Sequence, residues 1–135
     1  MKNIYLCGPI MDLSVKDASE WRQNAVKQLS INTPKIPFRC LDPMRSNFRD
    51  SELESRNEIV QFNKADIINS DILLVNATKP SWGTAMEVMF AFSKHKVIIA
   101  FTGDLPKNAS PWLAYHSTKI FIKMGEAINY IKKHF

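Results

Sequence analysis

The sequence predicts an α/β protein built on a doubly wound, five-stranded parallel sheet with helices on both faces, in a flavodoxin-like or Rossmann-like arrangement. Strand-like and helix-like segments alternate along the whole chain. The strand-like segments are short and mostly apolar, which is typical of parallel strands that are buried on both faces. A length of 135 residues suits one such sheet in a single domain, which we expect to span residues 1–135.

Apolar runs indicate the five strands. The second run contains Pro37, which has no backbone N–H to donate, and this favours a position at the edge of the sheet. The third run, DILLVN, is the clearest, because it is continuously apolar between two polar ends. The predicted strands are residues 3–7, 36–41, 71–76, 97–101 and 119–122.

Four helices are predicted between and after these strands. In the first, four apolar residues share one face: Trp21, Ala25, Val26 and Leu29. We interpret Arg22, next to them, as a solvated helix charge. The core candidates of the second helix are Ile59, Val60, Phe62, Ile67 and Ile68. The predicted helices are residues 17–30, 57–69, 84–94 and 124–134, and the long loops are 42–56 and 102–110.

Composition and charge restrict the classes of function. With 45% apolar and 23% charged residues the chain resembles an average globular protein, and no apolar stretch reaches the roughly 20 residues that span a bilayer. The formal net charge of +5 comes largely from scattered lysines, which indicates a small anionic ligand more than polymeric nucleic acid. Cys7 and Cys40 lack metal or disulfide spacing and are interpreted as core residues. We expect a cytoplasmic protein without metal, cofactor or membrane contact.

The first cluster of candidate functional residues follows the first strand, in Tyr5-Leu-Cys-Gly8-Pro9-Ile10. Ligands of parallel α/β sheets bind beyond the carboxyl ends of the strands, where this cluster falls. Gly8 would let a ligand approach the backbone closely, and Tyr5 would present its phenol to the pocket. From the local pattern alone, a plain Gly-Pro turn is the more common explanation.

The second cluster, Pro80-Ser-Trp-Gly-Thr-Ala-Met-Glu87, leads into the third predicted helix. Thr84 and Glu87 have the spacing of a capping box, in which the glutamate hydrogen-bonds to the Thr84 amide. The competing interpretation places Glu87 on the first turn of the helix, facing the ligand crevice. The helix N-terminus would then favour the ionised carboxylate, which is the form that a nucleophile needs.

The third cluster runs from the second predicted helix into the third strand, in Asn63-Lys-Ala-Asp66-Ile-Ile-Asn-Ser-Asp71. Alone, Asp66 is explained as a residue of a solvated helix face, and Asp71 as the residue that introduces the strand. None of the three clusters is decisive when it is considered separately.

Taken in order, the segments YLCGPI, DIINSDILLVN and PSWGTAMEVMFAF resemble the nucleoside 2-deoxyribosyltransferase superfamily, which includes 2'-deoxynucleoside 5'-monophosphate N-hydrolases. The resemblance covers nearly the whole chain. It implies that Glu87 attacks the anomeric carbon of a deoxyribose and that Tyr5 orients this glutamate. A covalent intermediate would then pass to another base or to water, as in a retaining glycosidase. The resemblance also implies that Gly8 and Ile10 line the sugar and base pocket.

One position departs from the family's pattern. Where the resemblance implies an aspartate that assists the leaving base, this chain has Asn63. An amide can hydrogen-bond to a base but cannot deliver a proton to it. Asp66, on the same helix face, could take over this role, the protein could be slow or inactive, or Asn63 could be an introduced substitution. A non-catalytic nucleotide-binding or scavenging module is therefore the competing function.

Two serines bear on the substrate and on assembly. At the position of Ser81 the resemblance implies an acidic residue in nucleoside transferases and a phosphate-binding serine in monophosphate hydrolases. A hydroxyl binds a phosphate that a carboxylate would repel. Ser110 falls near a second phosphate-binding serine, which a neighbouring subunit supplies in the hydrolases. We therefore expect a deoxynucleoside or, preferably, a deoxynucleotide as substrate, and a homodimer or higher homo-oligomer with shared active sites.

Four further residues are candidates for the substrate pocket or for an interface. Trp82 would stack on a base, with simple loop packing as its alternative, and Gly83 belongs to the same loop. Asp42 would hold the sugar after the second strand, although an Asp-Pro turn explains it equally well. Trp112 is expected at a subunit interface.

Overall fold

The computed structural model describes residues 1–11, 13–31, 38–46 and 55–135. Within these ranges, strands and helices alternate as predicted, and no helix is both long enough and apolar enough to cross a lipid bilayer. The strands are β1 (Asn3–Cys7), β2 (Arg39–Leu41), β3 (Ile72–Asn76), β4 (Val97–Phe101) and β5 (Lys119–Phe121). The helices are α1 (Val15–Ser30), α2 (Arg56–Asn69), α3 (Trp82–Ser93), α4 (Pro111–His116) and α5 (Met124–His134).

The five strands form one sheet in the order β2-β1-β3-β4-β5, and every neighbouring pair is parallel. This order confirms the predicted fold class. Because β2 lies on one side of β1 and all later strands lie on the other, the strand order reverses at β1, and a crevice is expected beyond the carboxyl ends there. β2 lies at an edge of the sheet, as predicted, although residues 36 and 37 of the predicted strand lie outside the described residues.

Alternation along the strands divides the core into two layers. On one face of β1, Leu6 belongs to a buried cluster that contains Leu29 of α1 and Ile128 of α5. On the opposite face, Tyr5 and Cys7 belong to a second buried cluster, built with side chains of α2 and α3. Successive side chains of a strand point to opposite faces, so β1 connects the two layers of helices directly.

The start of α3 differs from the prediction. The helix begins at Trp82 rather than at residue 84, because the Ser81 hydroxyl caps it by accepting a hydrogen bond from the Thr84 amide at 3.3 Å. The predicted capping box between Thr84 and Glu87 is therefore wrong, since Thr84 already lies inside the helix. Glu87 consequently lies on the second turn of α3 instead of the first.

Helical structure also occurs where loops, or no element, were predicted. Short 3₁₀ turns occupy Pro43–Arg45 and Pro106–Asn108, and α4 occupies Pro111–His116. Each of the three begins with a proline, whose fixed φ suits the first helical position and whose missing N–H is not needed there. Residues 47–54 of the predicted loop 42–56 lie outside the described residues.

Several helical side chains face other surroundings than predicted. Val26 and Ile68 are exposed, whereas Arg22 is completely buried, so its interpretation as a solvated charge is wrong. Ile59 and Val60 line a cavity instead of the core. Apolar periodicity identifies the apolar face of a helix, but it does not distinguish a core from a ligand cavity.

Candidate active site

A cavity of about 710 Å³ lies beyond the carboxyl ends of β1 and β2, between α2 and α3. Its size is in the range of small-molecule binding sites. The structure thus brings together predicted residues from the loop after β1, from α2 and from the start of α3. The predicted site residues that line this cavity are Gly8, Ile10, Asn63, Ser81, Gly83 and Glu87.

Two side chains of β1 contact the carboxyl group of Glu87. The Tyr5 phenol donates a hydrogen bond to Oε2 of Glu87, and the Cys7 thiol lies 3.9 Å from Oε1. Burial raises the pKa of Glu87 to about 7, although the hydrogen bond from Tyr5 and the charge of Arg22 act in the opposite direction. The helix N-terminus does not lower the pKa of this carboxyl as expected, because Glu87 lies one turn too far along α3 and burial outweighs the opposing contributions.

Tyr5 and Cys7 both remain protonated at neutral pH. Burial, followed by the negative charge of Glu87, raises the pKa of the Tyr5 phenol and the pKa of the Cys7 thiol far above their usual ranges. Tyr5 can therefore donate its proton in a hydrogen bond to Glu87 over the whole physiological range. Cys7, completely buried, is a core residue as predicted.

Gly8 is required by close packing. A Cβ atom at this position would lie 2.6 Å from Cζ2 of Trp21 and 3.1 Å from Cβ of Asn76. The Gly8 carbonyl oxygen accepts a hydrogen bond of 2.8 Å from Arg22. The loop from Gly8 to Ile10, which lines the cavity, is therefore fixed by contacts on its far side.

Asn63 and Asp66 lie on the same helix, α2, but in different surroundings. Asn63 lines the cavity together with Glu87, whereas Asp66 is not among its lining residues. Asp66 is 7% exposed, and its Oδ1 accepts a hydrogen bond of 2.7 Å from Arg45. The structure therefore does not bring Asp66 to the cavity as a substitute for the missing acid at Asn63.

Trp82 and Ser110 line a second cavity of about 830 Å³, beyond β3 and β4. Trp82 is 84% exposed and does not line the Glu87 cavity, so within one chain it is not positioned to stack on a base there. The Ser110 hydroxyl caps α4 by accepting from the Trp112 amide at 3.3 Å. The two cavities share Ser81, Thr84 and Met89.

Asp42 does not line the Glu87 cavity either. Its Oδ1 accepts a hydrogen bond of 2.8 Å from the Met44 amide, which caps a 3₁₀ turn, and lies 3.7 Å from Nε of Arg22. The structure therefore favours the Asp-Pro turn over contact with a sugar as the explanation for Asp42.

Sequence reasoning missed several cavity residues. Arg56 and Lys64 of α2, Met44 after β2 and Phe90 of α3 all line the Glu87 cavity. Arg56 could have been found from its spacing to Asn63, since it lies two turns earlier on the same face of α2. Lys64 follows Asn63 directly, and adjacent positions of a helix do not share a face, so its spacing gives no such signal. Among the described residues, no group of three or more His, Cys, Asp or Glu side chains is arranged to hold a metal ion.

Comparison with solved structures identifies proteins of the same fold. A conserved protein from Enterococcus faecalis V583 superimposes with a TM-score of 0.76 at 15% identity, covering 100% of this chain and 99% of the other. The 2-deoxyribosyltransferase of Bacillus psychrosaccharolyticus gives 0.71 at 19% identity, covering 95% and 91%. A CMP N-glycosidase of Clostridium botulinum gives 0.63 at 17% identity, covering 99% and 100%.

Fold and site together define a small α/β protein with a buried phenol–carboxyl pair beside a cavity of small-molecule size. The sequence matches the family described as nucleoside 2-deoxyribosyltransferase over residues 4–118, and the chain belongs to this family. A comparison with curated proteins gives no match. Membership supports an enzyme class that acts on the N-glycosidic bond of small nucleoside substrates.

Proposed function

We propose that this chain cleaves the N-glycosidic bond of a 2'-deoxynucleoside, and preferably of its 5'-monophosphate, through a covalent deoxyribosyl-Glu87 intermediate. The observation that carries the proposal is the Glu87 carboxyl group, which lines a nucleotide-sized cavity and accepts a hydrogen bond from the buried Tyr5 phenol. Water would resolve the intermediate in an N-hydrolase, and a second base would resolve it in a transferase.

The protonation state of Glu87 suits this chemistry. With a pKa of about 7, roughly half of the Glu87 carboxyl groups are ionised at neutral pH. A carboxylate oxygen forms the bond to the anomeric carbon while the bond to the base breaks, and the base leaves with the electron pair. Tyr5 holds the carboxylate at Oε2 and so fixes its orientation toward the sugar.

The first experiment measures free base released from a panel of deoxynucleosides and their monophosphates, with and without a second base. Base exchange identifies a transferase, and release into water identifies a hydrolase. Glu87→Ala should lower the rate at least about 10³-fold, as expected for the loss of a covalent catalyst. Near-normal turnover by Glu87→Ala, on a substrate that the parent accepts, would rule out the assignment.

The charges around the cavity support a monophosphate substrate. Glu87 is the only acidic side chain among the described residues that line it, whereas Arg56 and Lys64 are cations. At the start of α3, the Ser81 hydroxyl lines the cavity, and the buried Oγ1 atom of Thr84 has no hydrogen-bond partner among the described residues. The Ser81 hydroxyl can donate to a phosphate oxygen near the positive end of the helix dipole.

Ser81→Asp tests this preference with little risk to the fold. Aspartate caps a helix about as well as serine, so α3 should keep its start. The new carboxylate repels a phosphate, and we expect kcat/KM for the monophosphate to fall at least tenfold while the deoxynucleoside loses much less. Ser81→Asn, which caps equally well without charge, is the matched control. Equal losses for both substrates in Ser81→Asp would contradict a phosphate site at Ser81.

Asn63 determines how the base departs. It lines the cavity with Glu87 but cannot supply a proton, so we propose that the missing acid limits the rate. Asn63→Asp should therefore increase base release, with an upper range of about 10²–10⁴-fold for general acid help. Asp66→Asn should have little effect on the chemical step, because Asp66 is paired with Arg45. A parent as fast as Asn63→Asp, but crippled by Asp66→Asn, would assign the acid to Asp66.

Asn63 also favours the competing function, a nucleotide-binding or scavenging module. Calorimetric titration with a deoxynucleoside monophosphate distinguishes the two. A binder holds the ligand with no base released by the parent, whereas the proposed enzyme releases base in proportion to time and protein.

We also propose a homo-oligomer in which the face formed by α3 and α4 meets a second copy. This α3–α4 face carries the exposed aromatic residues Trp82, Phe92, Trp112 and Tyr115, and isolated monomers seldom expose such a set. Ser110, beside it, would then approach a neighbour's site. Light scattering should report at least a dimer, and Trp112→Ser should shift it toward monomer, whereas Val26→Ser, on α1, should not. A fully active monomer at micromolar concentration would defeat this proposal.

A further inference from the structure

Arg22 is the largest completely buried side chain of the described residues, and its guanidinium group joins three parts of the fold. Nε donates to the Leu6 carbonyl at 3.2 Å, and Nη2 donates to the Gly8 carbonyl at 2.8 Å. Nη1 donates to the Ala18 carbonyl, one turn earlier on α1, at 2.5 Å. Of the carboxylates in the described part of the chain, that of Asp42, after β2, lies nearest, with Oδ1 3.7 Å from Nε. Burying a charge costs free energy, and a neutral side chain could fill the same space. The retention of a buried guanidinium group with these contacts therefore needs an explanation.

Along the end of β1, the residues whose carbonyl groups bind Arg22 alternate in sequence with the residues whose side chains contact Glu87. Leu6 and Gly8 accept its hydrogen bonds, whereas Tyr5 and Cys7 approach Glu87 from the opposite face of the sheet. In a strand, the carbonyl and side-chain directions of neighbouring residues are fixed relative to one another. Fixing the backbone at Leu6 and Gly8 therefore also fixes the positions of the groups that hold Glu87.

We propose that Arg22 is a positioning residue of the reaction: it holds the end of β1 and the loop at Gly8, so that Tyr5 and Cys7 keep the Glu87 carboxyl group in the attacking orientation. The inference rests on the proposed function for the step that it assists. Arg22 does not touch the substrate cavity, and its role is exerted through the strand.

The charge of Arg22 adds a second contribution. It lowers the pKa of Glu87 and so offsets part of the increase that burial causes. Among the described residues, the other titratable groups facing Glu87 are Tyr5 and Cys7 from β1, and Arg56 and Lys64 from α2 across the cavity. β3 and β4, which also pack against α3, carry no titratable side chain. Removing Arg22 should therefore leave Glu87 protonated to a higher pH.

Two substitutions separate charge from geometry. Arg22→Met keeps much of the side-chain volume but removes the charge and all donors. Arg22→Lys keeps the charge but cannot donate to both carbonyl groups from one rigid plane. Leu29→Ala, on the same helix two turns later, is the matched control, because it creates a cavity in the core cluster that also contains Leu6 but removes no hydrogen bond to the carbonyl groups of β1.

The readout is the pH dependence of kcat and kcat/KM per folded molecule. For Arg22→Met the acid limb should move to higher pH, and the loss of all donors should act as well, so kcat/KM at pH 7 should fall at least about tenfold, with only the part that is due to the pH shift recovered at pH 9. For Arg22→Lys the midpoint should stay near that of the parent while kcat falls at least about fivefold at every pH. Leu29→Ala should change neither. If Arg22→Met does not fold, the kcat of Arg22→Lys alone decides whether Arg22 positions Glu87.

A spectroscopic titration makes the test independent of turnover. The ¹³C carboxyl resonance of Glu87, assigned by its disappearance in Glu87→Gln, should titrate at higher pH in Arg22→Met than in the parent. Parent-like kinetics and a parent-like titration in the Arg22 variants would overturn the role of Arg22. A parent that releases no base from any substrate would overturn the proposed function instead, and the titration would still report whether Arg22 acts on Glu87.

Discussion

Replacing Glu87 by glutamine should stabilise the folded protein at high pH while abolishing catalysis. Glutamine has nearly the shape of glutamate, and its carbonyl oxygen can accept the hydrogen bond that Tyr5 donates to the carboxyl group. The main effect of the substitution is therefore that the side chain at position 87 can no longer ionise.

The size of the effect follows from the pKa of Glu87, which burial raises from 4.5 to about 7. Between these values the unfolded chain has lost the proton while the folded chain keeps it, so the free energy of unfolding falls as the pH rises from 4.5 to about 7. Above pH 7 the full loss is present, and it amounts to about 3 kcal/mol. This is an upper figure, because part of the carboxyl group contacts solvent. Below pH 4.5 the loss vanishes.

Urea unfolding at pH 5 and pH 8 tests this reasoning. The stability of Glu87→Gln relative to the parent should increase by about 2 to 3 kcal/mol from pH 5 to pH 8. Glu20→Gln, at an exposed position on α1, is the matched control, and its difference from the parent should stay within about 0.5 kcal/mol. If the parent and Glu87→Gln respond to pH in parallel, Glu87 is not the buried, proton-retaining carboxyl that the structure indicates.

Three further substitutions test the surroundings of this carboxyl. Tyr5→Phe removes a hydrogen bond that lowers the pKa of Glu87, so the acid limb of kcat/KM should move to higher pH and the rate at pH 7 should fall about tenfold. Gly8→Ala places a Cβ 2.6 Å from Trp21, and denaturant unfolding should report a loss of about 1–3 kcal/mol. Ser81→Ala removes the cap of α3 and should cost about 1 kcal/mol, whereas unchanged stability would mean that the cap contributes nothing.

The strands and their parallel arrangement were predictable because the strands are short apolar runs that alternate with helical segments. DILLVN illustrates this, since the residues from Ile72 to Asn76 are all buried in the centre of the sheet. The start of α3 was not predictable in the same way. Ser81 and Thr84 are both good capping residues, and the choice between them depends on how the loop after β3 meets the sheet.

Most of the candidate site residues came from the resemblance, and the structure brings six of them to one cavity. The placement of Trp82 in a second cavity, and of Asp42 in a turn, could not be read from the sequence, because both follow from the path of a loop. The raised pKa of Glu87 was not predictable for a related reason. A position along a helix is local information, whereas the burial that raises the pKa comes from tertiary packing, which no local pattern reports.

The burial of Arg22 also depends on tertiary structure, which the local sequence does not report. The acceptors for its guanidinium group are backbone carbonyls at the end of β1, which every residue carries and no sequence pattern reports. A strand that ends under a ligand crevice leaves such carbonyls without ladder partners, and a buried donor must satisfy them. The same end of β1 also directs the side chains of Tyr5 and Cys7 toward Glu87. It therefore sets the orientation of the Glu87 carboxyl group on one face of the sheet, and its free carbonyl groups require a buried cation on the opposite face. A charged residue on the sheet-facing side of α1 is thus a consequence of building the site at the end of β1, and it belongs to the site as much as to the core.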